Sequence, residues 1–285
     1  MNLAHFFRFA NSRDVTIDVG TAALIDSQDM RPSRQAADSP RRPRWTVGPV
    51  LRRLEVVDLT LFGVWPGARV LDVGCNVGRL ISRLAGRGCE SVGVDILRRD
   101  LLSARSRLLE RDPLPAFAQA DGCRLPFADA SFDFVTCTET LEHVADANAA
   151  LREAARVLKP GGRLVVSVPN TLPELIAYHV YGLYRDDPSG HRRIYTRGRI
   201  AHAVEAAGLR VYARRRRNSV EAVYWTLLFL FDACPYMRGW SVDALNRWRD
   251  RSNAEPYSLL YHVLDEAGNG FYPKSIVVYA EKPVA

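Results

Sequence analysis

The chain has 285 residues, 47% of them hydrophobic and 25% charged, which suits one large globular domain with appendages. No apolar run approaches the ~20 residues of a membrane-spanning helix, and Met1 to Ala10 lacks the apolar stretch and cleavage site of a secretory signal. The net charge of +7 rests on 39 basic residues, of which only Lys159, Lys274 and Lys282 are lysine; the arginines are spread along the chain, so the excess reads as compositional rather than as a nucleic-acid surface.

Residues 1–49 read as an extension, in part disordered. An apolar tip of Leu3, Phe6, Phe7 and Phe9 precedes a proline-broken, arginine-rich stretch over 28–44 with no periodicity. From about residue 50 apolar runs alternate with amphipathic ones. Arg69–Val73 has the continuous apolar character of a buried parallel strand, and Arg79–Ala85 that of a helix with Leu80 and Leu84 on one face. Ser91–Val94 is a second strand, and Leu101, Arg105 and Leu108 mark a helix. Phe132–Thr136 is a further strand. Asp146 is placed to cap a helix carrying Leu151, Ala154, Ala155 and Leu158, stopped by Pro160-Gly161-Gly162. Leu164–Val168 follows as a strand. This alternation predicts an α/β fold, a doubly wound and mostly parallel sheet with helices on both faces.

Past residue 190 the pattern changes. Ile200, Val204 and Ala207 form a helix face ending at Gly208, and Leu209–Tyr212 and Ser275–Ala280 are strand-like, as an antiparallel hairpin at one sheet edge would be. Between them lies a helical insertion over 218–274, rich in Trp, Tyr, Phe and Leu. The expected division is therefore an extension over 1–49, a core over 50–217, an insertion capping one side over 218–274, and a last strand and tail over 275–285. The five cysteines, Cys75, Cys89, Cys123, Cys137 and Cys234, contain no C-x-x-C pair, which argues against a disulfide framework or zinc ribbon and fits a reducing, cytoplasmic setting.

The chemistry should sit where the strands end, because doubly wound sheets bind ligands at their carboxyl edge. The first strand runs into Asp72-Val73-Gly74-Cys75-Asn76-Val77-Gly78. Gly74 permits a sharp turn, Asn76 tolerates a positive φ, and Gly78 permits close approach of a ligand or helix. The dinucleotide pattern G-x-G-x-x-G is not met, because Arg79 stands where its last glycine would fall. Asp95 ends the second strand, where a carboxylate can accept both hydroxyls of a ribose. Asp121-Gly122 follows the third.

Together these segments resemble the class I S-adenosylmethionine-dependent methyltransferases. The resemblance runs through Val70–Gly78, Gly93-Val94-Asp95, Ala120-Asp121-Gly122, Leu125-Pro126-Phe127, Ser131–Val135, Leu141-Glu142-His143-Val144 and Arg156–Gly162, and spans about 67–215. The family usually has glycine where this chain has Asn76. The resemblance implies a Rossmann-like sheet of seven strands with S-adenosyl-L-methionine as cofactor. It implies that Asp72, Gly74, Cys75, Asn76 and Gly78 hold the methionine end and that Asp95 binds the ribose. Ile96 would lie against the adenine, Asp121 and Gly122 would contact its amino edge, and Thr138 and Glu139 would line the pocket.

Glu139, Glu142 and His143 spell E-x-x-E-H, which is similar to a pattern in quinone-directed O-methyltransferases where such residues hold a divalent metal. The Leu-Glu-His-Val segment is widespread in the larger family, so it is read as structural and no metal is expected. His191, in Gly190-His191-Arg192-Arg193-Ile194-Tyr195-Thr196, is the candidate proton acceptor for an acceptor hydroxyl, with His143 as the second candidate. Arg214–Arg217 precede the apolar run Ala222–Phe231. This reads as an arginine-guarded strand edge beside a buried helix, or else as a peripheral membrane contact.

The expected function is methyl transfer to a small hydrophobic acceptor such as a quinone, lipid, glycolipid sugar or secondary metabolite, most simply at oxygen. Nucleic-acid methylation is disfavoured: the strand Phe132–Thr136 leads into Cys137-Thr138-Glu139 rather than an Asn/Asp-Pro-Pro-aromatic turn, and no Pro-Cys nucleophile is present there. A regulatory protein that binds the cofactor without catalysis, or a nicotinamide dehydrogenase, would share some of these features. Arg79 and the lack of a convincing catalytic set disfavour the dehydrogenase. No nucleic-acid partner is expected, and the oligomeric state is not legible.

Overall fold

The computed structural model describes residues 16–18, 56–111, 114–181, 190–233, 243–247 and 259–284. The strands are β1 (Thr16–Asp18), β2 (Arg69–Val73), β3 (Glu90–Asp95), β4 (Ala116–Gln119), β5 (Phe132–Thr138), β6 (Leu158–Pro169), β7 (Arg210–Arg217) and β8 (Ser275–Glu281). The helices used below are α1 (Leu59–Phe62), α2 (Arg79–Ala85), α3 (Arg98–Leu108), α4 (Ala147–Val157), α5 (Thr171–Tyr181), α6 (Arg197–Ala206), α7 (Ser219–Ala233) and α8 (Leu259–Gly268).

The strands form one sheet in the order β1-β4-β3-β2-β5-β6-β8-β7. β4, β3, β2, β5 and β6 are mutually parallel, and β8 runs antiparallel between β6 and β7. The order in which strands are added reverses about β2, a switch point at whose carboxyl end, with those of β3 and β5, such sheets bind ligands. The six strands read from the pattern are all present, and β4, just before Asp121, completes the seven that the resemblance implies. An eighth, β1, lies within the extension and pairs antiparallel with β4, closing an edge that would otherwise leave its backbone groups unpaired. The apolar tip and the arginine-rich stretch over 28–44 lie outside the described residues.

Successive residues along each strand serve opposite faces. Leu71, Val135, Leu164, Val166 and Val278 meet Leu151 and Ala154 of α4 and Ile200 and Val204 of α6. Val70, Phe134, Val165, Val277 and Tyr279 meet Phe62 of α1 and Leu84 of α2. A third group joins Cys75 to Ile81, Leu101, Ala104, Leu108 and Phe117, locking α2 and α3 onto the β3–β4 side.

Two boundaries differ from the pattern reading. α4 ends at Val157, and Leu158 already pairs with Phe132, so Pro160-Gly161-Gly162 form an irregularity within β6 rather than the helix stop. Gly161 takes φ 74°, which favours glycine at the kink. β7 extends to Arg217, so the arginine block lies on the outermost strand, opposite Ser275–Val278 of β8.

That register also locates the insertion. Arg217 is paired with Ser275, and Ser275 with Pro169 at the end of β6. The chain therefore leaves for the insertion and returns from it at the carboxyl edge of the sheet. α7 packs on α5, the helix that follows β6, and α8 packs on α7. The α7 Ser219 hydroxyl donates to the Asp265 carbonyl at 2.8 Å, and the buried Tyr224 hydroxyl donates to Asn246 at 2.7 Å. Trp240 and Trp248 lie outside the described residues.

Phe134 is fully buried at the centre of the sheet, its ring edge-on to Phe62 at 4.9 Å and to Trp65 at 4.7 Å. Phe134→Ala should lower the free energy of unfolding by about 3–5 kcal/mol, read from urea titration, because the sheet cannot collapse into the void. A loss below about 1 kcal/mol would contradict this packing.

Candidate active site

The turn after β2 is held open by hydrogen bonds that converge on two residues. The Gly74 and Cys75 amides both donate to the Val94 carbonyl, at 2.8 and 3.0 Å. The Asn76 amide donates to Asp95 Oδ2 at 2.9 Å, and the Leu97 amide to Asp95 Oδ1 at 2.9 Å. One carboxylate thus ties the β2–α2 turn to the β3–α3 turn. Asn76 Oδ1 accepts from the Val77 amide at 2.7 Å and its Nδ2 donates to Asp100 at 3.3 Å.

Gly74 and Gly78 both have φ 74° and Asn76 has φ 48°. A Cβ at Gly74 would overlap the Thr140 side chain, and one at Gly78 would meet Ala104 Cβ at 3.0 Å. Asparagine supplies the left-handed conformation that glycine supplies elsewhere, by bonding its own neighbour's amide. The Cys75 side chain is buried in the α2–α3 cluster, so only its backbone faces the turn.

Asp72 lies beneath this turn, fully buried, and accepts from the Thr136 hydroxyl at 2.6 Å. Burial pushes its carboxyl up to about 7; the Thr136 bond pulls it down and Asp95 pushes it further up. Ile96, after Asp95, is 64% exposed, and Gln119 donates to its carbonyl at 3.0 Å. Asp121 is exposed and accepts from the Cys123 amide at 2.8 Å, capping the turn after β4, with Gly122 against Val73.

Thr138 and Glu139 end β5. The Thr138 carbonyl accepts from the Thr140 hydroxyl at 2.9 Å. Glu139 has φ 49° and accepts from the Ser167 hydroxyl at 2.9 Å. Beyond it Glu142 is 1% exposed, and among the described residues neither of its carboxylate oxygens has a hydrogen-bond partner. Burial and the neighbouring Glu139 hold this carboxyl well above the usual range, which favours its protonated form.

The two candidate histidines meet here. His143 and His191 contact edge to face with ring centres 4.6 Å apart. The Arg192 amide donates to the Glu142 carbonyl at 2.8 Å, drawing the His191 loop onto this segment. His191 Nδ1 lies 2.5 Å from Oε2 of Glu174, a buried carboxylate on α5. The ligand atoms of Glu142, His143 and His191 lie within 4.8 Å of one another, a donor set of one carboxylate and two imidazoles that can hold a divalent cation. The expectation of no metal therefore meets a cluster with the donors to bind one.

The residues proposed from sequence thus gather at the carboxyl edge in two groups. Asp72 to Gly78, Asp95, Ile96, Asp121 and Gly122 lie at the ends of β2, β3 and β4. Thr138, Glu139, His143 and His191 lie at β5 and the loop before α6. Glu174, Thr136 and Thr140 escaped the sequence reading. Thr136 and Thr140 lie within or beside the matching motifs, but their partners are set by the pairing of β2 with β5. Glu174 opens a helix with no motif around it.

The first group presents what an adenosine-bearing cofactor requires: a carboxylate with lone pairs left after two amide bonds, an exposed apolar side chain beside it, and a turn without side-chain bulk. Residues 71–166 match a family described as a methyltransferase domain. The matched segment is thus a methyltransferase domain of the class that uses S-adenosyl-L-methionine as cofactor.

A ubiquinone biosynthesis O-methyltransferase from Xanthomonas axonopodis pv. citri is 40% identical over 147 residues, covering 51% of this chain and 60% of the relative. The chain thus matches about three-fifths of that relative's length. Among solved structures, phosphoethanolamine N-methyltransferase 2 of Haemonchus contortus, determined with S-adenosyl-L-methionine, shares the fold at TM-score 0.53 and 22% identity, over 79% of this chain and 51% of that one. The [4+2]-cyclase SpnF shares it at TM-score 0.53 and 22% identity, over 78% of each chain. Likeness at this identity speaks to the fold alone. No helix of the described residues is long and apolar enough to cross a membrane.

Asp72 carries a pH signature. Between its usual 3.8 and about 7 the unfolded chain has lost this proton while the folded chain keeps it, so stability falls as pH rises through that window and levels above it. The change is on the order of 4 kcal/mol. Asp72→Asn should remove this part of the slope, measured by urea unfolding at pH 4.5, 6 and 8. A variant with the wild-type slope would contradict it.

Proposed function

We propose that this chain transfers a methyl group from S-adenosyl-L-methionine to a hydroxyl of a small, hydrophobic acceptor of the quinone-precursor kind. The observation that carries this reading is the Glu174–His191 pair, 2.5 Å apart, on the same sheet edge as the Asp95 turn. The ubiquinone-directed relative supports the acceptor class and the oxygen atom.

When bound, the cofactor supplies an electrophilic methyl group. On this reading the Gly74–Gly78 turn and Asp72 hold its methionine end, with Cys75 and Asn76 contributing backbone. Asp95 takes the ribose hydroxyls with its remaining lone pairs, and Ile96 covers one face of the adenine. Asp121 and Gly122 meet the adenine edge, and Thr138 and Glu139 close the pocket floor.

His191 takes the acceptor proton. Glu174 accepts from Nδ1–H, which leaves Nε2 as the base and stabilises the imidazolium as it forms. His143, packed edge-on, restricts the ring. The insertion supports this from behind, because α7 packs on the helix that carries Glu174. The same insertion is proposed as one wall of the acceptor pocket, which would keep water from the reacting hydroxyl.

A second reading has one observation behind it. The unpartnered Glu142 carboxylate with His143 and His191 would hold a divalent cation, which would bind the acceptor oxygen and favour its ionised form.

His191→Ala should lower turnover on a catechol-type acceptor about 10²–10⁴-fold with cofactor affinity near normal, and Glu174→Gln should lower it less. Both rates are read from transfer of labelled methyl groups. Full turnover in His191→Ala would sink the base. Activity lost on chelation and restored by a divalent cation would favour the second reading.

A further inference from the structure

At the far edge of the sheet from β1, an open cleft of about 580 Å³ is lined by Arg197, Arg214, Arg215, Arg216, Asn269 and Gly270. We infer that this arginine cleft is a binding site for a phosphoryl group, separate from the methyl-transfer site. The inference does not depend on the acceptor proposed above.

The guanidinium groups of Arg197, Arg214 and Arg216 around one cleft repel each other and gain most from a multiply charged anion, while Arg215 alternates to the other face of β7 and lines the cleft through its backbone. Their partners divide them. Arg217, the next residue of β7, is taken up by Asp58 at 3.4 Å and Glu266 at 2.5 Å and is largely buried. Arg214 has only a long pairing with Glu205, 3.6 Å, with both side chains about half exposed. Among the described residues no ion pair joins a carboxylate to Arg197, Arg215 or Arg216. Arg215 donates to the Arg214 carbonyl at 3.0 Å and Arg216 to the Gly270 carbonyl at 2.5 Å. These backbone bonds fix the guanidinium groups without neutralising them.

The frame is built rather than incidental. Arg214–Arg216 are held in register by β8, opposite Ile276–Val278. Arg197 opens α6, whose cap is the Thr196 hydroxyl. Asn269 is buried and accepts from the Ser219 amide at 3.1 Å, which fixes the turn carrying Gly270. Planar, forked donors arranged this way match the tetrahedral oxygens of phosphate better than a point charge does. Phe271, beside Gly270, is 88% exposed, so the phosphoryl group could belong to a lipid headgroup as well as to a soluble phosphate compound.

The test uses the full chain with two probes: inorganic pyrophosphate by calorimetry, and sedimentation with phosphatidylcholine vesicles with or without phosphatidylglycerol. Wild type should bind at least one probe. Arg197→Ala/Arg216→Ala should weaken that binding by about tenfold or more per arginine. Arg216→Lys should retain part of it, and Arg210→Ala, outside the cleft and paired with Glu281, should leave it unchanged. Pyrophosphate binding alone assigns a soluble ligand; phosphatidylglycerol-dependent sedimentation alone assigns a headgroup. All variants should melt with wild type and bind S-adenosyl-L-methionine equally. Failure of wild type to bind either probe, or wild-type binding by the double variant, would overturn the inference.

Discussion

The candidate site depends on one carboxylate bonding two turns at once. Asp95 accepts the amide of Asn76 with one oxygen and that of Leu97 with the other. Without it, the turn after β2 and the turn after β3 would be independent loops. With it, the left-handed Gly74, Asn76 and Gly78 are held in one arrangement, and α2 and α3 start in fixed directions. Each bond from an amide to a charged oxygen contributes about 1.5–3 kcal/mol, enough to outweigh the backbone entropy of one or two residues. The same carboxylate keeps lone pairs that these two bonds leave unused, and on the proposed reading these take the ribose hydroxyls.

The neighbouring acidic groups show how burial divides labour among like residues. Asp95 and Asp121 lie near solvent and bond to amides. Asp72 and Glu142 are enclosed, and enclosure shifts both toward the protonated form. Glu174 is buried too, but it has a hydrogen-bond partner in His191 Nδ1. Three glutamates around two histidines form an environment where a proton or a cation can be accommodated, unlike the dry, neutral packing beneath. The fold alone does not choose the reaction, since a cyclase shares it.

Much of this was legible in the chain. The β2–α2–β3 unit follows from continuous apolar runs bounded by glycines, and Asn76 at positive φ from its ability to bond the following amide. The gathering of Asp72 and Asp95 at one edge follows from strand direction. What was hidden depends on contacts between distant segments. Glu174 pairs with a residue 17 positions away, through a helix whose orientation is set by α7. β7 runs on through four consecutive arginines, against their poor match to a half-buried strand, because β8 supplies the register. β6 begins before its glycines for the same reason: Phe132 is available to pair with Leu158.

The most direct test is the affinity for S-adenosyl-L-methionine of wild type and Asp95→Asn, measured by calorimetry at a temperature where both proteins are folded. The account predicts binding by wild type and a loss of about 2–4 kcal/mol in the variant, because two charge-assisted bonds to the ribose weaken as the clamp on Asn76 loosens. Equal affinities, or a wild type that prefers a nicotinamide cofactor, would contradict it.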